Sequence, residues 1–147
     1  MSVDRGYFGI GIERGKTVSN VGTLWRSAYS FGAGCIFTVG RRYPQQASDT
    51  AKAWRHVPMI EYADFDDLYA HLPFSCQLIG IELDDRAASL GAFIHPERAL
   101  YLLGAEDYGL SKEARTRCHR IVQLQGRYCL NVAVAGSIVM HDRIVKG

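Results

Sequence analysis

The sequence predicts an α/β domain: a parallel sheet with helices on both faces. Three observations carry this. Short apolar runs of strand length alternate with segments of helical periodicity. The runs are apolar throughout, as expected of strands buried on both sides. Apolar residues make up 48% of the 147, enough for a real core.

The elements follow in order. Tyr7–Ile12 reads as a strand. Thr23–Phe31 carries Leu24, Ala28 and Phe31 at i, i+4 and i+7, a helical stripe closed by Gly32 and Gly34. Cys35–Val39 is a short strand, and Arg41–His56 a polar loop with some helix. Phe65–Leu72 reads as a helix capped by Asp64. Leu78–Leu83 and Ala99–Leu103 are strands, Lys112–Cys118 a helix capped by Ser111, and Ile121–Leu124 a further strand. Leu130–Val145 is the closing helix. No repeat or linker divides the chain, so residues 1–147 are expected to form one domain.

Composition excludes several classes. Net charge is +2 and four cysteines show neither CxxC nor metal-ligand spacing, so no metal is expected and the thiols read as reduced, in a cytosolic protein. No apolar run is long enough to span a bilayer, and the N-terminus lacks signal-peptide shape.

The loop Gly104–Ser111, GAEDYGLS, follows one strand and precedes one helix. Its glycines have phosphate-loop spacing, but Leu110 stands where Lys is needed, and Glu106 and Asp107 oppose a polyphosphate. A ligand loop for a nucleoside or cation and a plain tight turn with Gly109 left-handed both fit. Gly9 and Gly11 lie inside a strand and make a poor dinucleotide fingerprint. Arg41, Arg42 and Tyr43 form a candidate cluster for RNA phosphate and base, to which Arg5, Arg14, Lys16 and Arg127 add charge. Ile81 and Glu82, at a strand end, are placed to supply a wall of a ligand site, with the carboxylate available to a ribose diol.

Three stretches change the reading: Asn20-Val-Gly-Thr-Leu-Trp-Arg26-Ser-Ala28, Leu103-Gly-Ala-Glu-Asp-Tyr-Gly-Leu-Ser111 and Cys129-Leu-Asn131-Val-Ala-Val-Ala135. In that order they resemble the three motifs of the SpoU (TrmH-like) branch of the SPOUT RNA methyltransferases: NxGxxxRxA, LGxExxGLS and SLNVxxA. The resemblance implies a C-terminal trefoil knot, a homodimer and S-adenosylmethionine (SAM) bound in the knot. It also implies methyl transfer to a ribose 2′-hydroxyl of RNA, with tRNA favoured because no separate RNA-binding domain is seen.

Residue by residue, the resemblance assigns Asn20, Arg26, Glu106 and Asn131 to catalysis, with Glu106 orienting Arg26 or a positive partner. It gives Gly104, Ala105, Gly109, Ile121, Val122, Leu124, Cys129 and Leu130 to the cofactor. Gly104 would let the backbone approach it closely. A guanidinium is a poor base, so Arg26 is expected to grip phosphate and polarise the hydroxyl. Asn131 is expected to cap the last helix as well. That helix is apolar nearly all round, and Ala135-Gly136-Ser137 is expected to pack on a second subunit. Rival readings are an inactive SAM- or RNA-binding module, a base methyltransferase and an unrelated nucleotide-binding protein.

Cys129 stands where the family prefers Ser, and a thiol is the weaker donor. Cys129→Ser is expected to be tolerated or to raise turnover. A nearly dead Ser variant, with alkylation of the native protein blocked by SAM, would instead make Cys129 a nucleophile.

Overall fold

The computed structural model describes residues 6–43, 55–126 and 130–147. Arg5, residues 44–54, Arg127 and Cys129 lie outside the described residues, and the calls made on them stay with the sequence. The expected strands are all present, as β1 (Tyr7–Glu13), β2 (Cys35–Val39), β4 (Gln77–Ile81), β6 (Arg98–Leu103) and β7 (Arg120–Gln123). Two short strands were not foreseen: β3 (Met59–Tyr62) and β5 (Ala88–Ser89). The helices are α1 (Val18–Phe31), α2 (Phe65–Ala70), α3 (Lys112–Arg117) and α4 (Val132–Lys146), and a one-turn 3-10 helix spans Leu90–Ala92.

The strands form one parallel sheet in the order β3-β2-β1-β6-β4-β7-β5. β6 therefore enters between β1 and β4, and β7 between β4 and β5, both late in the chain. Side chains alternate across the central strands, as strand geometry requires. Phe8, Ile10, Ile12, Ala99, Tyr101 and Leu103 face one core with Leu24, Ala28, Val139 and Met140 of α1 and α4. Phe37, Leu78, Leu100 and Leu102 face the other with Leu68 of α2 and Ala114 of α3. Leu110, the residue that displaced the phosphate-loop lysine, is buried in this second core.

Caps fall where the sequence placed them. Asp64 accepts from the Asp67 N–H, Ser111 from the Ala114 N–H, and Asn131 from the Ala133 and Val134 N–H groups. Gly32 ends α1 at φ 83°, the left-handed cap. Helix α1 begins five residues earlier than the apolar stripe implied.

The proposed role of Gly136 needs correction. A Cβ there would lie 2.5 Å from Leu24 Cδ1, 2.9 Å from Leu103 Cδ1 and 3.2 Å from Ile10 Cδ1. Gly136 thus lets α4 sit close on its own sheet and α1, not on another subunit. Ser137 is likewise held within the chain, donating to the Ala133 carbonyl and to Ser27 Oγ, each at 2.8 Å. Of the exposed apolar residues of α4, Val134 and Ile138 join Phe31 and Thr23 of α1 in lining a shallow apolar groove, and Val145 lies apart near the helix end.

The far end of α4 is tied to the segment before β6. Arg143, 5% exposed, donates to the Pro96 and Glu97 carbonyls at 2.7 and 2.8 Å and to the Tyr101 hydroxyl at 3.1 Å. His95 bridges Tyr101 Oη (2.6 Å) and Asp142 Oδ2 (2.7 Å), and Lys146 completes the group 2.9 Å from Asp142. A neutral imidazole satisfies both His95 contacts, accepting from tyrosine and donating to the carboxylate. Burial lowers the His95 pKa against the pull of Asp142. Burial works to raise the Asp142 carboxyl, but His95 and Lys146 outweigh it and hold it below the usual range.

His95 therefore protonates more readily in the unfolded chain than in the fold. Its contribution to stability is full above the unfolded value, near ~6.5, and is lost as pH falls towards the folded one. Melts between about pH 7.5 and about pH 5 are expected to show a falling Tm that His95→Gln flattens. An unchanged acid slope in the variant would remove His95 from this account.

Candidate functional site

Three adjacent parallel strands, β6, β4 and β7, end at one cavity of about 320 Å³. Carboxyl ends of parallel strands are where such sheets bind ligands, and the volume suits a small molecule. Ile81, Glu82 and Leu83 form one wall, Leu103–Gly109 a second, and Leu124–Gly126 with Leu130, Val132 and Ala135 a third. The lining is largely apolar, with Glu82, Glu106, Asp107 and Arg115 as its charged members.

The wall 103–109 is a loop folded on itself. The Gly109 N–H donates to the Ala105 carbonyl at 2.8 Å, with Gly109 at φ 66°. A Cβ on Gly104 would stand 2.2 Å from Gly109 C and 2.2 Å from Leu110 N. Gly104 is therefore needed for the loop to close on its own backbone, a role the sequence reading did not foresee.

Two carboxylates from the flanking strands hold the closed loop. Glu82 Oε2 accepts from the Leu110 N–H at 2.7 Å. Buried Glu13 accepts from both the N–H and the hydroxyl of Ser111, each at 2.7 Å. Glu82 also accepts from the Leu83 N–H at 3.0 Å and pairs with Arg115 at 3.3 Å. The carboxylate expected to face a ribose diol is thus engaged within the protein.

At the rim, residues far apart in sequence meet. Asn131 Nδ2 donates to Asn20 Oδ1 at 3.0 Å, and Asn20 Nδ2 in turn donates to Glu106 Oε1. Thr17 donates its hydroxyl to the other Glu106 oxygen at 3.2 Å. A single carboxylate therefore joins the starts of α1 and α4 to the cavity wall. Both asparagine amides have one orientation in this chain of bonds.

Of the expected cofactor residues, Ile81, Glu82, Gly104, Ala105, Gly109, Leu124 and Leu130 line the cavity. Ile121 and Val122 do not: both side chains are buried within β7, where their strand position packs them into the core. Of the expected catalytic residues, Asn20, Glu106 and Asn131 come together and Arg26 stands apart. Arg26 is exposed, does not line the cavity, and has no hydrogen-bond or ion-pair partner among the described residues. Glu106 thus orients Asn20, and not Arg26 as expected.

The RNA cluster is also corrected. Arg42 forks onto Asp107 (3.0 and 2.6 Å) and donates its Nε to the Arg14 carbonyl at 2.9 Å. Arg41 pairs with Glu61 at 3.0 Å and donates to the Tyr43 carbonyl at 2.8 Å. Both guanidinium groups thus already have partners within the protein, Arg42 with its whole fork and Arg41 through Nε and Nη1. The Asp107 carboxyl is held below the usual range first by the Arg42 hydrogen bonds, with Lys16 adding to the effect. Cys118, half-buried against the second core, is a thiol pushed up to about 12 by desolvation and so is not activated as a nucleophile. Among the described residues no group of His, Cys, Asp and Glu is placed to hold a metal, and no helix is long and apolar enough to cross a membrane.

The sheet and its cavity define a parallel α/β protein with a small-molecule site framed by three sequence motifs. The particular family follows from the sequence profile: residues 9–141 match the SpoU rRNA Methylase family, and the chain belongs to it. No curated protein matches. Solved structures share the fold. One comes from work on the 2-OH methylation of C/U34 on tRNA, with 20% identity, 94% of each chain covered and a TM-score of 0.79. An rRNA methyltransferase from Sinorhizobium meliloti is 21% identical over 96% of this chain and 56% of that one, with a TM-score of 0.83. The SpoU methyltransferase AviRb from Streptomyces viridochromogenes, in complex with AdoMet, is 19% identical over 99% and 59%, with a TM-score of 0.80. The chain thus spans under two thirds of the last two.

Gly104→Ala tests the loop. With no ligand present it is expected to lower unfolding stability by about 1–3 kcal/mol, the usual effect of forcing atoms into a packed site. Unchanged stability with ligand binding alone lost would return Gly104 to a cofactor-contact role.

Proposed function

We propose that this protein is a SAM-dependent methyltransferase acting on a ribose 2′-hydroxyl of RNA, with tRNA favoured over rRNA. The observation that carries the proposal is the junction of Asn20, Glu106 and Asn131 at the cavity rim. It draws three motifs, up to 111 residues apart, onto one small-molecule site. A cofactor with an apolar body and a cationic centre fits such a lining: leucines and alanine on one side, and on the other Glu106, whose protein partners are uncharged.

SAM, when bound, supplies a methyl already activated on its sulfonium. The protein's part is alignment, charge and exclusion of water. Leu103, Leu124, Leu130 and Val132 provide the dry surface. Asn20 and Asn131 are fixed by Glu106, so their amides are set before RNA arrives. A guanidinium is a donor and a poor base, so Arg26 is assigned to the phosphate beside the target ribose, where it polarises the hydroxyl. Among the described residues it has no protein partner to give up first.

Arg26 lies outside the cavity of its own chain, and this favours a homodimer in which it serves the partner's site. The groove of Thr23, Phe31, Val134 and Ile138, apolar and exposed beside Arg26 on α1, is the surface that would be covered. The C-terminal knot belongs to the same reading. Its support is the late insertion of β6 and β7 between earlier strands, which is also what builds the cavity.

The experiment is transfer of labelled methyl from SAM to total tRNA and rRNA, followed by nucleoside mapping. Label is expected on a 2′-O-methylnucleoside of tRNA. Arg26→Ala is expected to abolish transfer with SAM affinity within a few-fold of native, and Ile138→Glu to yield an inactive monomer. Label on a base, or no label with bound SAM, overturns the reaction; a fully active monomer overturns the shared site.

A further inference from the structure

Tyr108 has no task in this scheme, yet it is held conspicuously. Its ring is 67% exposed and lies on the cavity wall. An aromatic ring left that open in a rigid loop is not accounted for by packing. The residues on either side are fixed. Asp107 takes the bidentate fork of Arg42, and the Gly109 carbonyl accepts from Arg14 Nη2 at 3.3 Å. Both guanidinium groups stand by the ring, Arg42 at 5.2 Å and Arg14 at 5.9 Å from its centroid.

Arg14 is the less satisfied of the two. It is a non-glycine residue in the left-handed region at φ 55°, a conformation that persists only where surroundings impose it. Its N–H donates to the Val39 carbonyl at 2.6 Å and its own carbonyl accepts from Arg42 at 2.9 Å, so both sides of the strained residue are fixed. Its Nε is buried without a hydrogen-bond partner, and no carboxylate pairs with it among the described residues. Arg42 is paired with Asp107, whereas Arg14 has no ion-pair partner among the described residues. Lys16, exposed and close enough to Asp107 to influence its acidity, adds to the positive side.

A flat π-face edged by cations suits a flat ring carried on an anionic backbone. We propose that Tyr108, flanked by Arg14 and Arg42, is a stacking platform for an unpaired nucleobase of the RNA substrate, beside the nucleotide whose ribose enters the cavity. This rests on the RNA methyltransferase reading and adds to it a requirement for single-stranded, unstacked RNA at the site. Arg14 is the cation for that base's phosphate. Arg42 is a positioning residue, acting through Asp107 to hold the ring.

The test uses the whole protein, bulk tRNA and a single-stranded RNA hexamer carrying 2-aminopurine, whose fluorescence is quenched on stacking. The native protein is expected to quench the hexamer. Tyr108→Ala is expected to lose the quenching and to weaken RNA binding about tenfold, as loss of base–aromatic stacking does. Tyr108→Phe keeps both properties, since the π-face remains. SAM affinity by calorimetry and the melting temperature stay at native values in both variants. An Ala variant that quenches and binds as the native protein does overturns the platform alone, with RNA methylation intact. An Ala variant that loses SAM and leaves RNA binding unchanged also overturns it, placing the ring against the cofactor. A native protein that binds neither RNA nor SAM overturns the methyltransferase reading and the platform together.

Discussion

The structure depends on how the Gly104–Ser111 loop is clamped. β6 lies between β1 and β4, and each neighbour sends one carboxylate to the loop that leaves β6. Glu13 takes the N–H and hydroxyl of Ser111, and Glu82 takes the N–H of Leu110. Charged acceptors make the stronger hydrogen bonds, and these satisfy backbone donors at a turn buried on one side. With Leu110 seated in the core, the loop has one shape. The cavity wall, the start of α3 and the position of Glu106 all follow from it. The acids that make GAEDYGLS a poor phosphate loop are part of the same logic: Glu106 and Asp107 face cationic or amide partners, not phosphate.

The strands were legible because burial on both faces leaves an uninterrupted apolar run, and the central five were all readable. β3 and β5 were not, since they lie at the two edges of the sheet. An edge strand tolerates polar residues such as Glu61 and offers little pattern. The beginning of α1 was missed for a related reason. Val18, Asn20, Val21 and Gly22 are poor helix formers, and packing against α4 outweighs them.

The site was legible as residue types and not as pairings. The resemblance to the family's motifs located Asn20, Glu106 and Asn131, because each motif is contiguous in sequence. It could not say that Glu106 faces Asn20 instead of Arg26, since that depends on how α1 and the loop are rotated. Arg41 and Arg42 read as free basic residues because their acidic partners, Glu61 and Asp107, are 20 and 65 residues away. Arg143 drew no attention in the sequence, because a basic residue near the end of a helix is an ordinary feature beside the helix dipole. Its burial beneath Pro96 and Glu97 leaves no local mark. Gly136 had a signal that was read in the wrong direction: a small residue does mark close approach, but the approaching surface is the chain's own sheet.

Helix α4 is fastened at both ends, packed on the sheet and α1 along one face, and bare along the flank of Val134 and Ile138. At one end Asn131 caps the helix with its oxygen and ties it to Asn20 with its nitrogen. At the other, Arg143, Asp142 and Lys146 lock it to the segment ahead of β6. The helix is thereby a taut strut between the cavity rim and the opposite edge of the domain. Its open flank, at Val134 and Ile138, and the asparagine that frames the pocket are carried on one helix, so a surface seated on that flank is held in fixed register with the pocket.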